Sequence, residues 1–407
     1  MRLSILLSFI FLFQPGSKLL ANNDLALPMG YTVNELNLIK VKIINGDKIL
    51  SKQFQSMLEQ AQAFMEIEPP SVIDDSSSPL GADSHDYVSY APYWWPNPST
   101  KTGLPYVRRD GEINHELRDK GDDKAFTKMA NAVHLLALAY FYSDKEKYAL
   151  KAAQFIDVWF LDTATYMNPN AQGGQIILGK KDFGRRAGIN ELRFLSNVLD
   201  AIKILESSKT WTSEREVKIK KWFSDYLKWL EKSDHGEKEK TRPNNHGTWY
   251  DVQYISLAIY LEQMEKAKNH LKKYSFSRID KQIKSNGEQP LEVTRGRSLH
   301  YSLYNIRAFF ALAAYAKQVG IDLWNYQSPA GSSIKVALDY LTPYIGNQSN
   351  WPFQDLGSKE PKKWELLLSQ AFFWSNDERY QKLLNGIEAK YCYPNCFYQL
   401  VIPSSPV

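Results

Sequence analysis

The sequence has few cysteines, few histidines and no long apolar run after its first residues. Its 407 residues include two cysteines and seven histidines, too few for a disulfide-rich scaffold, and no histidine lies near the cysteines to complete a zinc site. No later segment is apolar over the length that a membrane-spanning helix needs. No lysine- and arginine-rich block of the kind that binds nucleic acid occurs, and the net charge of +5 is only mildly basic.

The first 21 residues predict a secretory signal peptide. Arg2 precedes an apolar stretch over residues 3–13, Pro15 interrupts it, and Ala21 is a suitable last residue before cleavage. No cysteine follows for a lipid anchor, so we expect a periplasmic or secreted protein; a buried N-terminal helix is the alternative. Two cysteines, Cys392 and Cys396, flank a Pro-Asn turn, where an exported protein could hold a local disulfide or two free thiols.

The mature chain, residues 22–407, is expected to be one helical domain. Hydrophobic residues make up 43%, enough for a substantial core, and from about residue 123 apolar residues recur at spacings of three and four. Ser213 with Glu216 three positions later predicts a helix start with a capping box. Further helices are predicted at 52–67, 248–263, 265–274, 299–319, 333–341, 362–375 and 378–390. Many helix pairs joined by short loops indicate an all-α fold, an (α/α) toroid or incomplete barrel of antiparallel pairs.

Two segments before residue 123 differ from this pattern. Residues 22–85 form an N-terminal segment with one predicted helix and a Pro/Ser/Asp-rich stretch. Residues 86–116, here called the aromatic-basic loop, are rich in Pro, Gly, Tyr and Trp and show no regular period. Because unstructured connections of this length are uncommon in compact domains, we expect the aromatic-basic loop to have a function.

The first candidate site is TRPNNHGTWYDVQ, residues 241–253. Asn244, Asn245 and His246 stand where a loop enters a helix, and a helix N-terminus offers free N–H groups and positive potential to an anion. The alternative is that the asparagines only cap the helix.

The second candidate site is QPLEVTRGRSLHYSLYNIR, residues 289–307. Here Arg295 and Arg297 precede Tyr301 and Tyr304 at another helix start. Exposed arginines and packed tyrosines are the alternative.

Together the two segments hold the groups that β-elimination of a uronate requires. The carboxylate must be neutralised so that the C5 proton becomes acidic, and amide and guanidinium groups can do this. A base must take that proton and an acid must protonate the leaving O4; a tyrosine whose pKa a nearby cation lowers can do both, and a histidine can serve as base. The predicted catalytic residues are Asn245, His246, Arg295 and Tyr301, and they need no metal or other cofactor.

Four motifs, APYWWPNP, GLPYVRRDGEIN, NNHGTWYDVQ and TRGRSLHYS, resemble those of the alginate lyase-like superfamily of bacterial polysaccharide lyases. The resemblance covers roughly residues 85–325 and is nearest to polysaccharide lyase family 38, which acts on glucuronan and alginate-type uronans. It implies that Asn245 and His246 contact the uronate carboxylate, that Arg295 assists and that Tyr301 is the proton shuttle. More distant family 5 lyases have one more residue between Arg and Tyr, which leaves Arg297 as a candidate beside Arg295.

The resemblance also implies a tunnel-like cleft and an anionic polysaccharide as the partner, and we expect a monomer that binds neither nucleic acid nor membrane. The aromatic-basic loop is then a lid or wall of the cleft, although its tryptophans could equally be a packed plug. The residues predicted to bind substrate are Tyr93, Trp94, Trp95, Arg108, Arg109, Arg185, Asn244, Trp249, Arg297 and Tyr304.

Stereochemistry favours some uronates over others. In β-D-mannuronate and β-D-glucuronate the C5 hydrogen and O4 lie on the same face of the ring, so Tyr301 alone can act as base and then as acid. In α-L-guluronate they lie on opposite faces and His246 would have to take the proton. We expect mannuronate- or glucuronate-type linkages, without excluding guluronate.

Two other classes of protein remain open. Helical barrels also host glycoside hydrolases of uronides, which need paired carboxylates; Asp251, Glu292 and Asp355 are candidates, but no paired motif holds them. A periplasmic protein that only binds acidic glycans would keep the basic, aromatic cleft without needing Tyr301 near His246.

Overall fold

The computed structural model describes residues 33–74, 83–346, 348–356, 362–387 and 400–402. The predicted signal peptide and the pair Cys392 and Cys396 lie outside these residues. Among the described residues, no helix is both long and apolar enough to cross a membrane.

Most of the described chain is helical, as the apolar spacing predicts. The helices are α1 (Val33–Ile44), α2 (Lys48–Met65), α3 (His115–Arg118), α4 (Asp123–Ser143), α5 (Glu146–Ile156), α6 (Leu195–Leu205), α7 (Ser213–Lys232), α8 (Asp234–Lys240), α9 (Asn245–Tyr260), α10 (Met264–His270), α11 (Phe276–Gln282), α12 (Pro290–Val293), α13 (Ser298–Gln318), α14 (Ile334–Leu341), α15 (Lys362–Ser375) and α16 (Glu378–Ile387). A 3₁₀ segment, Arg186–Phe194, leads into α6.

Four short strands accompany the helices. They are β1 (Val88–Tyr90), β2 (Trp94–Trp95), β3 (Val107–Arg108) and β4 (Gly173–Ile176). β1 pairs with β4 in parallel, and β2 pairs with β3 in antiparallel register. Three of the four strands belong to the aromatic-basic loop, which therefore has a defined structure of its own.

The helices pack as neighbouring pairs around two apolar clusters. α4 packs against α5 and α6, α9 against α10 and α13, and α15 against α16. The first cluster joins the helices from α1 to α7, and the second joins those from α10 to α16. The all-α toroid predicted from the sequence is confirmed by this arrangement together with the structural comparisons reported below.

α9 belongs to both clusters and explains where the site lies. Tyr250 and Leu257 on one side of α9 pack into the first cluster, whereas Val252 and Ile255 on the other side pack into the second. A helix that is apolar all round is a buried helix. The N-terminus of α9, which carries Asn245, is therefore held in the middle of the molecule.

One helix start differs from the prediction by one residue. The side chain of Thr212, not that of Ser213, accepts the capping hydrogen bond, from Arg215 N, and α7 begins at Ser213. Thr212 takes the extended backbone conformation that an N-cap requires.

Candidate active site

A carboxylate from another helix caps the start of α9. Glu292 on α12 accepts hydrogen bonds from Asn245 N (2.7 Å) and Asn245 Nδ2 (2.6 Å), and both residues are buried. The preceding Asn244 makes no side-chain capping bond, so the asparagines do not serve as ordinary caps. Burial raises the pKa of Glu292, although the two bonds from Asn245 act in the opposite direction.

His246 is held by a buried carboxylate. Its Nδ1 bonds to Glu239 Oε1, and the second oxygen of Glu239 accepts a 2.5 Å bond from Arg186 Nη1. Burial opposes ionisation of Glu239, but His246 and Arg186 outweigh it and lower its pKa. Since a carboxylate accepts, Nδ1 carries the proton in the neutral ring and Nε2 keeps its lone pair. The side chain of His246 is 22% exposed, so its imidazole can be reached from the cleft.

Tyr301, in the first turn of α13, faces the aromatic-basic loop. Its hydroxyl lies 2.7 Å from the Tyr93 hydroxyl, and the Arg295 guanidinium lies 3.8 Å from the centre of its ring. Arg295 is fixed in turn by Asp110, through Nε (3.1 Å) and Nη2 (2.9 Å). Burial opposes ionisation of Asp110, but the bonds from Arg295 and Gly296 N outweigh it and lower its pKa to about 2.

The expectation of a lowered pKa at Tyr301 is wrong for the ligand-free protein. Burial raises the pKa of Tyr301 well above its ordinary value, and the neighbouring Tyr93 raises it further. Arg295 acts in the lowering direction but covers the face of the ring and does not touch the hydroxyl. Tyr301 is therefore a neutral phenol at neutral pH in this state.

Glu292 shows that the two candidate segments meet. It bonds to Asn245, and its titration responds to the charges of both Arg295 and His246. Arg295 in turn lies over the ring of Tyr301, so the four residues predicted as catalytic are connected through Glu292 and Arg295. The sequence alone did not identify Glu239 as the partner of His246, and it suggested Glu292 only as a hydrolase acid. The one indication of a role for Glu292 in this site was its position three residues before Arg295.

Tyr304 and Trp249 form an aromatic wall next to this group. Their ring centres are 5.0 Å apart, and the Tyr304 hydroxyl donates to Asn190 Oδ1 at 2.9 Å. The Arg193 guanidinium lies 5.5 Å from the centre of the Tyr304 ring. Burial raises the pKa of Tyr304 to about 12. The Tyr304 hydroxyl contacts Asn190, whereas the Tyr301 hydroxyl contacts Tyr93 in the aromatic-basic loop.

The remaining predicted residues on this side have mainly structural contacts. Arg185 donates to Gln175 Oε1, and burial lowers its pKa to about 10. Arg297 precedes α13 and pairs along the backbone with Asp355, while its Nε is buried without a hydrogen bond among the described residues. Its neighbour Arg295, not Arg297, lies over Tyr301.

Trp94 and Trp95 each make a cation–π contact with a basic side chain. Lys180 Nζ lies 4.9 Å from the Trp94 ring centre, and the Arg109 guanidinium lies 5.2 Å from that of Trp95. Both tryptophans are partly buried. Arg108 bonds to Asp110 at 2.6 Å, which ties β3 to the carboxylate that also holds Arg295.

Two of the three acids considered for a hydrolase, Asp251 and Glu292, are buried and held by other side chains. Asp251 is fully buried and bonded to Arg278 (2.6 Å) and His270 (2.7 Å), and Glu292 is bonded to Asn245. Within the described parts of the chain no group of three or more histidine, cysteine, aspartate or glutamate side chains is arranged to hold a metal.

Comparison with known proteins agrees with this arrangement. A family profile described as "Alginate lyase" matches residues 71–351. An alginate lyase from Bacteroides ovatus is 35% identical, with a TM-score of 0.87, and the match covers 92% of this chain and 98% of that chain. No curated protein matches in sequence.

Two more distant structures share the fold. Both are variants of alginate lyase A1-III, an enzyme of Sphingomonas species A1. A histidine-to-alanine variant complexed with a tetrasaccharide is 14% identical, with a TM-score of 0.55 and coverage of 90% of this chain and 93% of that chain. A tyrosine-to-phenylalanine variant, also complexed with a tetrasaccharide, is 14% identical, with a TM-score of 0.52 and 80% coverage of each chain.

The helical toroid and the family match define the class of this protein as a polysaccharide lyase. The chain belongs to the alginate lyase family.

Proposed function

We propose that this lyase cleaves an alginate- or glucuronan-type polyuronate by β-elimination and leaves a 4,5-unsaturated uronate at the new end. The observation that carries the proposal is that Glu292 lies next to Asn245 and within electrostatic reach of His246 and Arg295, while Arg295 covers the ring of Tyr301. Amide, imidazole, guanidinium and phenol are the groups that the reaction needs, and here they come from two distant segments of the chain.

Asn245 and Arg295 are proposed to neutralise the reacting carboxylate. Glu292 holds the Asn245 amide through one N–H, which leaves its second N–H for substrate. Asp110 holds Arg295 through two of its five N–H groups. Groups that are fixed before substrate arrives stabilise the developing negative charge without reorganising during the reaction.

Proton transfer is proposed to involve Tyr301, with His246 as the second base. On mannuronate or glucuronate, Tyr301 acts as a phenolate that removes the C5 proton and returns it to O4; Arg295, which lies over the ring, stabilises that phenolate. On guluronate, His246 Nε2 takes the C5 proton and neutral Tyr301 protonates O4. The first route is our preferred assignment because one group on one face performs both steps.

A panel of substrates tests the proposal. The mature protein is incubated with polymannuronate, polyguluronate, glucuronan and glycosaminoglycans, and the ultraviolet absorbance of the new double bond is followed. We expect product from polymannuronate or glucuronan. A new reducing end without that absorbance would indicate a hydrolase, and no product from any polymer would support a protein that only binds glycans.

Tyr301→Phe tests the role of the phenol. We expect loss of double-bond formation with polymer binding largely retained, because the ring and its contact with Arg295 remain. Near-full activity of this variant would refute the assignment of Tyr301.

Export to the periplasm or the medium is part of the proposal. It rests on the N-terminal sequence and on the size of the polymeric substrate. Detection of the processed chain in a periplasmic or secreted fraction, with Ala21 removed, is the corresponding measurement.

A further inference from the structure

One face of α13 is accessible along several turns. Most of α13 is buried, but His300, Tyr304, Arg307 and Ala311 are partly exposed. Their spacing of four, three and four residues places them in one stripe along the helix. The stripe starts beside Tyr301, so it continues from the proposed reaction centre along the same wall.

Two arginines at this stripe have no carboxylate partner in the described part of the chain. Arg193 donates to the Asn190 carbonyl at 3.1 Å and lies over the rings of Phe194 (4.2 Å) and Tyr304 (5.5 Å). Arg307, one turn after Tyr304, makes no ion pair among the described residues. Five other buried or partly buried arginines pair with a carboxylate, namely Arg118, Arg186, Arg215, Arg278 and Arg295. Arg185, Arg242 and Arg297 are partly buried and make no ion pair among the described residues.

The positive charges of Arg193 and Arg307 repel each other. Burial lowers the pKa of Arg307, and the nearby charge of Arg193 lowers it further. Two neighbouring cations without a counter-ion in a partly desolvated place destabilise the free protein. An anion bound between them would remove that repulsion. Guanidinium groups match the geometry of a carboxylate, which they bind through paired hydrogen bonds.

The Tyr304 ring connects Tyr301 with Arg193. The ring centres of Tyr301 and Tyr304 are 6.4 Å apart, and the Arg193 guanidinium lies 5.5 Å from the Tyr304 ring centre. The Tyr304 hydroxyl is held by Asn190. Arg193 is therefore close enough to Tyr301 for one polymer chain to contact both residues through different sugars.

We propose that Arg193 and Arg307 form a second carboxylate subsite, which holds another uronate of the chain whose neighbour reacts at Tyr301. The inference rests on the proposed function and extends it: the substrate must carry carboxylates on nearby units, and a single uronate occupies only part of the site. The two arginines act on binding and positioning and do not take part in proton transfer.

Kinetics on mannuronate oligomers of increasing length test the subsite. For the wild type, kcat/KM should rise as the oligomer becomes long enough to reach both arginines. For Arg307→Gln and Arg193→Gln we expect KM on the long oligomer to rise about tenfold or more, since a charged hydrogen bond contributes that much. The change on the shortest cleaved oligomer should be small, and Arg307→Lys should recover part of the loss.

Lys317→Gln is the matched control because it removes one positive charge from an exposed position on the same helix. It should leave KM unchanged at every length. The subsite is refuted if Lys317→Gln and Arg307→Gln behave alike, if KM on the long oligomer does not change, or if kcat falls equally on short and long oligomers.

Calorimetric titration of hexamannuronate into wild type and Arg307→Gln separates this inference from the proposed function. If no polymer is cleaved but Arg307→Gln binds the hexamer about tenfold more weakly, the subsite stands and the lyase assignment fails. If polymers are cleaved and the two proteins bind equally, the subsite fails and the lyase assignment stands. The melting temperature of each variant shows that it is folded.

Discussion

The hydroxyl of Tyr93 lies 2.7 Å from the hydroxyl of Tyr301, so the aromatic-basic loop reaches the phenol that we assign to proton transfer. A second link, from Asp110 to Arg295, ties the same loop to the start of α13. The loop thus completes the site, and its sequence contributes to the chemistry as well as to the shape of the cleft.

Tyr93→Phe should move the rise of kcat/KM with pH to lower pH, because Tyr93 raises the pKa of Tyr301 and its loss makes the phenolate easier to form. The ring remains, so KM should change little. Initial rates of double-bond formation on polymannuronate across the pH range measure both effects. A pH profile equal to that of the wild type would show that the Tyr93 hydroxyl does not influence ionisation of Tyr301.

The raised pKa of Tyr301 predicts a particular pH dependence on mannuronate. Burial first, and then Tyr93, favour the neutral phenol, so only a small fraction is phenolate at neutral pH. If the phenolate removes the C5 proton, kcat/KM should increase with pH through the neutral and mildly alkaline range. A rate that is flat or falls over this range, in a protein that stays folded, would favour His246 as the base instead.

On polyguluronate, where His246 is the proposed base, Glu239→Gln should lower kcat by roughly 10²–10⁴-fold with a small effect on KM. The carboxylate fixes the proton on His246 Nδ1, and an amide can present its N–H there and reverse the tautomer, as happens when the carboxylate of a catalytic triad is replaced. Arg186→Gln is the control, since it removes the other partner of Glu239 and keeps the bond to His246. Equal losses in both variants would mean that Glu239 is only structural.

The local sequence predicts the helices and the key segments well, because apolar spacing and helix starts are local properties. Predicted helices at 299–319 and 362–375 correspond to α13 (Ser298–Gln318) and α15 (Lys362–Ser375). The stretch predicted at 265–274 forms α10 and most of a π-helical turn, which continues into α11. Nothing in the spacing alone indicates that turn.

The partners of the site residues were not predictable in the same way. Glu239 and Arg186 meet only because α8 packs against the 3₁₀ segment before α6, a contact across 53 positions of sequence. The lowered pKa expected for Tyr301 was wrong because the sequence shows a nearby cation but does not show burial, which is the larger effect here.

Asp251→Asn should destabilise the protein by about 3–5 kcal/mol, because it leaves Arg278 buried without its counter-ion. Arg278 also donates to the carbonyls of Lys240 and Arg242, just before the start of α9. The free energy of unfolding from urea titration measures the loss. Asp225→Asn, which breaks only two surface pairs on α7, with Lys221 and Lys228, is the control and should cost less than about 1 kcal/mol.

The contribution of Asp251 should also depend on pH. Burial opposes its ionisation, but Arg278 and His270 outweigh burial and lower its folded-state pKa to about 2, below the ordinary value of 3.8. Its stabilisation is therefore complete above about pH 4 and is lost as the pH falls towards 2. The difference in stability between wild type and Asp251→Asn should shrink over this acid range; a constant difference would contradict the assigned ion pair.

Gly247→Ala should disturb the site through the backbone. A Cβ at Gly247 would meet the Arg242 carbonyl oxygen and Arg278 Nη1 far inside contact distance, and neither can move away without breaking its bond to the other. We expect a loss of stability of about 1–3 kcal/mol together with lower activity, because Gly247 directly follows His246. Gly386→Ala on α16 is the matched control, since a Cβ there meets nothing within 4 Å; by helix propensity it should raise stability by up to about 1 kcal/mol. Thermal unfolding and the absorbance assay on both variants provide the comparison, and a Gly247→Ala protein as stable and active as the wild type would show that the start of α9 can shift without cost.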